Sequence, residues 1–403
     1  MSLRKKIVSS AAALALMGTA LVAAPNATTK IATDGTGDYL VFPVYAADQN
    51  GNWKTNIKVV NTNTTHAVVA KVVIREAVNS VEKLDFPIFL SPGDVWEATL
   101  TDEGGTVYLS TTDDSMVVNG VPASTTPVHT PLFSPVAPQN NHYGYIEVYG
   151  IAAILGTKVV PGWKVNTPLD KVKLYNKYIT DLNGNTNKAN WDAVDADSIY
   201  GQEVLFASNT NGNLAMTLPA YAFEGVVGNQ PNTVRTIGQN TVFSQMIASG
   251  SATTVATNII SLLAKQDIYA TFYDNGKGGA AESKLVLTQP LKLPAYGYDN
   301  TYCFTYQTVA RDQEENANVK SNFYSGGQPQ VLKVCPESAW LNVETASYTQ
   351  GYTDYKITSN YLNTKKGSTD TGSIVPIIPV LMSAKNVNGQ NITNIIYPAY
   401  KAK

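Results

Sequence analysis

Charge is scarce in this chain. Lysine, arginine, aspartate and glutamate make up 15% of its 403 residues, well below the roughly one quarter usual in globular proteins. The 29 basic and 31 acidic residues nearly cancel, so no basic footprint for nucleic acid is present. Only three histidines occur, His66, His129 and His142, a thin supply for acid–base catalysis or metal ligation. The sequence has no H-E-x-x-H, no G-x-S-x-G, no P-loop and no paired-cysteine zinc spacing. Beyond the first two dozen residues no apolar run approaches the roughly 20 needed to span a bilayer. Disorder is excluded too, because low charge comes with 44% hydrophobic residues. No catalytic set emerges, and a non-enzyme is expected.

The N-terminus supplies the first positive signal. Arg4, Lys5 and Lys6 precede an Ala/Leu-rich stretch from Ile7 to Ala23 that ends in small residues, the pattern of a secretory signal peptide over residues 1–24. The mature chain is expected to be secreted or held at the cell surface, with a polar arm over residues 25–38. Serine, threonine, asparagine and tyrosine then take the place of charge, suiting an exported β-protein whose hydroxyls and amides bond to sugars or to neighbouring subunits.

Period-two alternation governs the segment from Tyr39 to Thr101. Trp53, Thr55, Ile57 and Val59 share one side, Val68, Ala70, Val72 and Ile74 repeat the pattern, and Leu84, Phe86, Ile88 and Leu90 follow. Turns intervene at Asn61–Thr65 and at Ser91-Pro92-Gly93-Asp94. This predicts antiparallel strands with one face buried. Asn211-Gly212 and Asn388-Gly389 mark later hairpins, and residues 116–142, rich in proline, read as a long surface loop. Helical spacing occurs twice. Thr167-Pro168 offers a cap and first position ahead of Leu169, Val172, Tyr175 and Ile179, and Thr254–Ala264 carries Val255, Ile259 and Leu263 on one face. The predicted fold is mainly β, an antiparallel sandwich built as one elaborated or two sandwich-like units with two short helical insertions. The units divide as residues 39–225 and 226–403. Pro376 and Pro379 place their segment at a sheet edge or at a strand entrance.

Cys303 and Cys335 are the only cysteines, and in an exported protein they predict one disulfide. Asp181, Asn183, Asn185 and Asp192 alternate oxygen ligands at EF-hand-like spacing and form a candidate calcium site, though the glycine is misplaced and position twelve is not glutamate. The rival account is that Asn and Asp make turns well. Asp370-Thr371-Gly372-Ser373 echoes aspartic proteases, but that chemistry needs a second aspartate motif, so a turn is predicted. Asp34-Gly35-Thr36-Gly37-Asp38 reads as a turn as well. Arg75, Glu76, Asp85, Asp94 and Trp96 are ascribed to sheet register and turn chemistry. Tyr348, Tyr352 and Tyr355 lie in a polar stretch and are candidates for exposed aromatics.

Several segments carry a family likeness: Val59-Val60-Asn61-Thr62, Ala70 to Glu76, Leu84-Asp85-Phe86, Leu90 to Trp96, Thr112-Asp113-Asp114-Ser115, Tyr145-Ile146-Glu147-Val148, Ile378-Pro379-Val380 and Tyr397-Pro398-Ala399. In these the chain resembles a family of exported, surface-layer-like proteins of Gram-negative bacteria. The resemblance implies a surface location and a structural role, and it brings no catalytic residue. The expected function is therefore self-assembly at the cell surface, as a layer or an extracellular filament. Copies of the chain would pair through sheet edges, with the arm from Asn26 to Asp38 and the last strand, Ile392 to Tyr397, as candidate donors. The alternative is a carbohydrate-binding or adhesive module acting on surface glycans.

Overall fold

The computed structural model describes residues 29–48, 53–132, 141–183, 188–194, 197–209, 212–227, 252–292, 301–314, 316–320, 322–325, 328–359, 375–387 and 390–401. The signal-like segment falls outside them. Within them the protein is mainly β and its ladders are antiparallel. The alternating segments become strands Tyr39–Ala46, Trp53–Asn61, His66–Glu76, Glu82–Leu90 and Val95–Glu103.

These five strands are divided between two sheets. A six-stranded sheet runs Lys30–Ile31, Tyr221–Glu224, Tyr39–Ala46, Tyr143–Leu155, His66–Glu76, Glu82–Leu90. A second sheet runs Val128–Pro131, Thr106–Thr111, Val95–Glu103, Trp53–Asn61, Ile199–Asn209, Gly212–Pro219, with Thr36–Gly37 paired to Ile199–Asn209. One parity of side chains from each sheet, including Phe42, Val68, Val72, Ile57, Trp96 and Leu100, fills the layer between them. That is sandwich-like packing, two sheets sharing one apolar layer.

The expectation of one buried face fails at the six-stranded sheet. Its other face packs Val69, Val73, Phe89 and Tyr149 against Leu174 and Tyr178 of the helix Lys171–Asn183. Val255, Ile259 and Leu263 of the helix Ala252–Leu263 cover the same face. The strand His66–Glu76 is consequently buried on both sides. The first long helix also starts later than predicted. Asp170 caps it by accepting the Lys173 N–H at 3.0 Å, so Thr167 and Pro168 precede it. A third, one-turn helix, Gly156–Val159, follows the Tyr143–Leu155 strand. The proline-rich segment includes the short strands Val117–Val118, Val121–Pro122 and Val128–Pro131.

The second half holds two larger sheets, besides the two-stranded ladders Ala264–Lys265 with Val375–Pro376 and Asn322–Ser325 with Gln328–Val331. One runs Ala317–Lys320, Phe304–Arg311, Gly351–Ser359, Asp267–Phe272, Tyr400–Lys401, with Lys333–Val334 also paired to Phe304–Arg311. The other runs Ser338–Asn342, Lys284–Thr288, Ile378–Val387, Gln390–Ile396. Ile268, Phe272, Leu285, Leu287, Phe304 and Ile357 lie in the core of this half. Ile378–Val387 is an internal strand, and Pro376 and Pro379 stand at its entrance, where a missing N–H is tolerated. Cys303 and Cys335 form the predicted disulfide, with Cα atoms 4.1 Å apart. A further apolar cluster joins the halves, setting Val44, Leu205, Met216 and Leu218 against Val286, Val380, Met382 and Ile395.

Candidate functional site

The candidate calcium residues are spread over different tasks. Asp181 is buried in the last turn of its helix, accepting from Trp191 Nε1 at 3.0 Å and pairing with Lys177 at 3.0 Å. Asp192 is exposed, and its backbone bridges to Ala153. Asn183 ends the helix, while Asn185 lies outside the described residues. Protein N–H groups thus already hold the Asp181 carboxylate. No group of three or more His, Cys, Asp or Glu side chains is arranged for a metal among the described residues. The Asp370–Ser373 motif lies outside them, and Asp34 forms the expected turn by accepting the Thr36 N–H at 3.0 Å.

Of the histidines, His129 comes nearest to a constellation. It sits on the edge strand Val128–Pro131 rather than in a loop, with Ser110 Oγ 2.9 Å from Nδ1, Glu103 3.6 Å from Nε2 and Tyr108 stacked on its ring at 4.3 Å. His129 and Ser110 are direct cross-strand partners. The geometry imitates a Ser-His-carboxylate relay, but both ionisable side chains are about half exposed, where water and salt weaken their coupling. His142 lies 3.5 Å from Asp102. A cavity of about 390 Å³ lies between Asp114, Pro122 and Ser124 and the start of the helix at Lys171. Lys171 fills its acidic side, contacting Asp94, lying 3.5 Å from Asp114 and donating to Ser115 Oγ at 2.9 Å.

The residues first ascribed to register and turns include buried ion pairs. Lys71 contacts Asp85 and Arg75 contacts Glu147 on the helix-covered face of the six-stranded sheet. Tyr39 Oη donates to Glu147 at 2.7 Å, and Ser80 Oγ lies 2.7 Å from Tyr145 Oη and donates to it. Lys292 and Glu337 lie 3.8 Å apart in the second half, both fully buried. Strand parity could not reveal these pairs, because it marks sides without saying which are covered. Glu203 is stranger: it is fully buried, and neither carboxylate oxygen has a hydrogen-bond partner among the described residues. Desolvation raises its pKa well above the usual range.

Some sheet edges are guarded. Glu82–Leu90 contains Pro87, and its Phe89 packs on Tyr175 and Tyr178. Val128–Pro131 ends in proline. The polar arm pairs within its own chain, Lys30–Ile31 with Phe223–Glu224 and Thr36–Gly37 with Ile199–Tyr200. A side chain at Gly37 would overlap the Phe223 carbonyl, so glycine permits this docking. The last long strand, Gln390–Ile396, pairs with Ile378–Val387, and the following Tyr397 Oη donates to Pro219 O at 2.6 Å. Each segment expected as a donor thus has a partner in its own chain on one side, and Lys30–Ile31 and Gln390–Ile396 both end their sheets.

Like Ser338–Asn342 and Gln390–Ile396, Ala317–Lys320 is an edge strand. It pairs with Phe304–Arg311 and with no other described strand, contains no proline, and leaves Val319 63% exposed. It lies inside the loop closed by Cys303–Cys335, and Lys333–Val334 stitches the end of that loop back onto Phe304–Thr305. This open edge and the sheet behind it form the candidate functional site. No family model, curated protein or solved structure matches the chain. Of the tyrosines expected at the surface, Tyr352 is exposed, Tyr348 is half-buried and Tyr355 is in the core.

Proposed function

We propose that the chain is an exported structural protein that assembles with copies of itself at the cell surface. The single observation that carries this reading is the open Ala317–Lys320 edge, whose outer side pairs with no described strand and whose Val319 side chain is 63% exposed. An antiparallel edge pairing with its own copy gives a twofold dimer, and growth into a layer or filament needs a second contact elsewhere. Further support comes from the secretory-type N-terminus and the uncharged polar composition. The test is sedimentation velocity on the mature protein, followed by electron microscopy of native cells. Oligomers that dissolve in Val319→Lys, with the far-ultraviolet spectrum unchanged, are expected. A wild-type protein that stays monomeric at high concentration, with no array or filament containing it on cells, sinks the reading.

A further inference from the structure

The outer face of the sheet behind that edge has a composition of its own. Its inner parity, Ile268, Ala270, Phe272, Tyr355 and Ile357, goes to the core. The opposite parity is set out by register: Asp354 stands directly across from Tyr269, Lys356 pairs across to Gln307, and Tyr352 lies between Arg311 and Thr271. Tyr269 and Tyr352 meet edge to face, with ring centroids 6.3 Å apart, so each ring keeps at least one face that the other does not cover. Asp354 is only 8% exposed, and its Oδ1 has no hydrogen-bond partner among the described residues. Its Oδ2 lies 3.5 Å from Lys356.

A buried acceptor without a donor, across from Tyr269, two residues from Tyr352 on its own strand and near Lys356 and Arg311, calls for a ligand that brings hydroxyl donors. We propose that this face binds a neutral polysaccharide, with Tyr269 and Tyr352 meeting the C–H faces of its sugars and Asp354 and Arg311 taking its hydroxyls. Acid and base are interleaved here, which argues against an anionic ligand. The face mixes tyrosines with charged and polar residues, which suits a glycan better than an apolar peptide. The contact does not depend on the assembly reading, since it uses the sheet face and not the edge.

Affinity electrophoresis of the full mature chain through gels containing soluble xylan, mixed-linkage β-glucan or galactomannan tests this. At least one polymer is expected to retard the wild type. Tyr352→Ala is expected to weaken the retardation about tenfold, on the scale of one lost ring contact. Asp354→Asn should weaken it as well, because the unpartnered oxygen loses its charge. Tyr352→Phe is expected to retain binding, which controls for folding, and Val319→Lys is expected to bind like the wild type. Retardation that survives both Tyr352→Ala and Asp354→Asn overturns the proposal. So does the absence of retardation by all three polymers.

Discussion

Glu203 shows what a single uncompensated group does to the stability profile. An ionised carboxylate with no donor in a low-dielectric site is costly, so the folded state keeps Glu203 protonated. Its folded pKa lies above its unfolded one. The stability it contributes is therefore complete below the unfolded pKa and is lost as pH rises toward the folded value. Asp38 acts with the same sign. Burial raises it from 3.8 to about 7, against the opposing pull of the Val226 and Val227 N–H groups, so its contribution fades across that window. Glu203→Gln removes the first effect and leaves the second. Thermal melts at pH 4 are expected to match between wild type and variant, and at pH 9 the variant is expected to be more stable by about 1–3 kcal/mol. Equal melting behaviour at both values would show that water or an unseen donor already solvates Glu203. The Lys71–Asp85 pair carries the opposite lesson. Asp85→Ala strands a buried ammonium and is expected to cost about 3–5 kcal/mol, whereas the double change Lys71→Met with Asp85→Leu is expected to recover most of it. Urea midpoints of the three proteins measure the difference.

At the scale of elements, alternation made the strands legible. Trp53–Asn61, His66–Glu76 and Glu82–Leu90 fall where the period-two pattern puts them, because each strand sends at least one parity into a core. Their assignment to two sheets was not legible, since Asn61–Thr65 and Ser91–Asp94 turn the chain without specifying whether it crosses the sandwich. The buried charges were hidden for a related reason. Lys71 and Asp85 occupy positions that look like a solvent face until a helix closes over them. The helix Lys171–Asn183 was found by its spacing, but its start was set by Asp170 rather than by Thr167-Pro168. Asp170→Ala is accordingly expected to lower stability by about 1 kcal/mol, read from denaturant midpoints, while Thr167→Ala is expected to do much less. The candidate site was only half legible. Cys303 and Cys335 announced the disulfide, but nothing in the short run Ala317–Lys320 marks it as an open edge. The bridge spans 32 residues, and its loss in Cys303→Ser with Cys335→Ser is expected to cost about 3–4 kcal/mol by loop entropy. Hydrogen exchange is expected to quicken first at Phe304–Arg311 and Ala317–Lys320, the strands that the loop carries.

At the scale of the molecule, the two halves are sewn together more tightly than a boundary near residue 225 implies. The helix Ala252–Leu263, which belongs to the second half by sequence, covers the six-stranded sheet of the first. Tyr145 Oη donates to Pro290 O at 3.0 Å, and the Ser338 N–H donates to Ala77 O at 2.9 Å. Thr288 Oγ1 donates to Pro43 O at 2.5 Å. Each of these partners is backbone or buried, so separating the halves would expose an apolar seam and leave donors or acceptors unpaired. Such a seam couples unfolding. Calorimetry of the mature chain is expected to give a single transition whose van't Hoff and calorimetric enthalpies agree. Met216→Asp, which puts a charge into the seam between Leu218 and Met382, is expected to destabilise the chain strongly and to split that transition, because it weakens contact between the halves while each keeps its own core. If both halves still melt together in Met216→Asp, the coupling runs through the helix over the first sheet instead. Ile259→Asp would then be the variant to separate them, since Ile259 is fully buried where that helix meets the sheet.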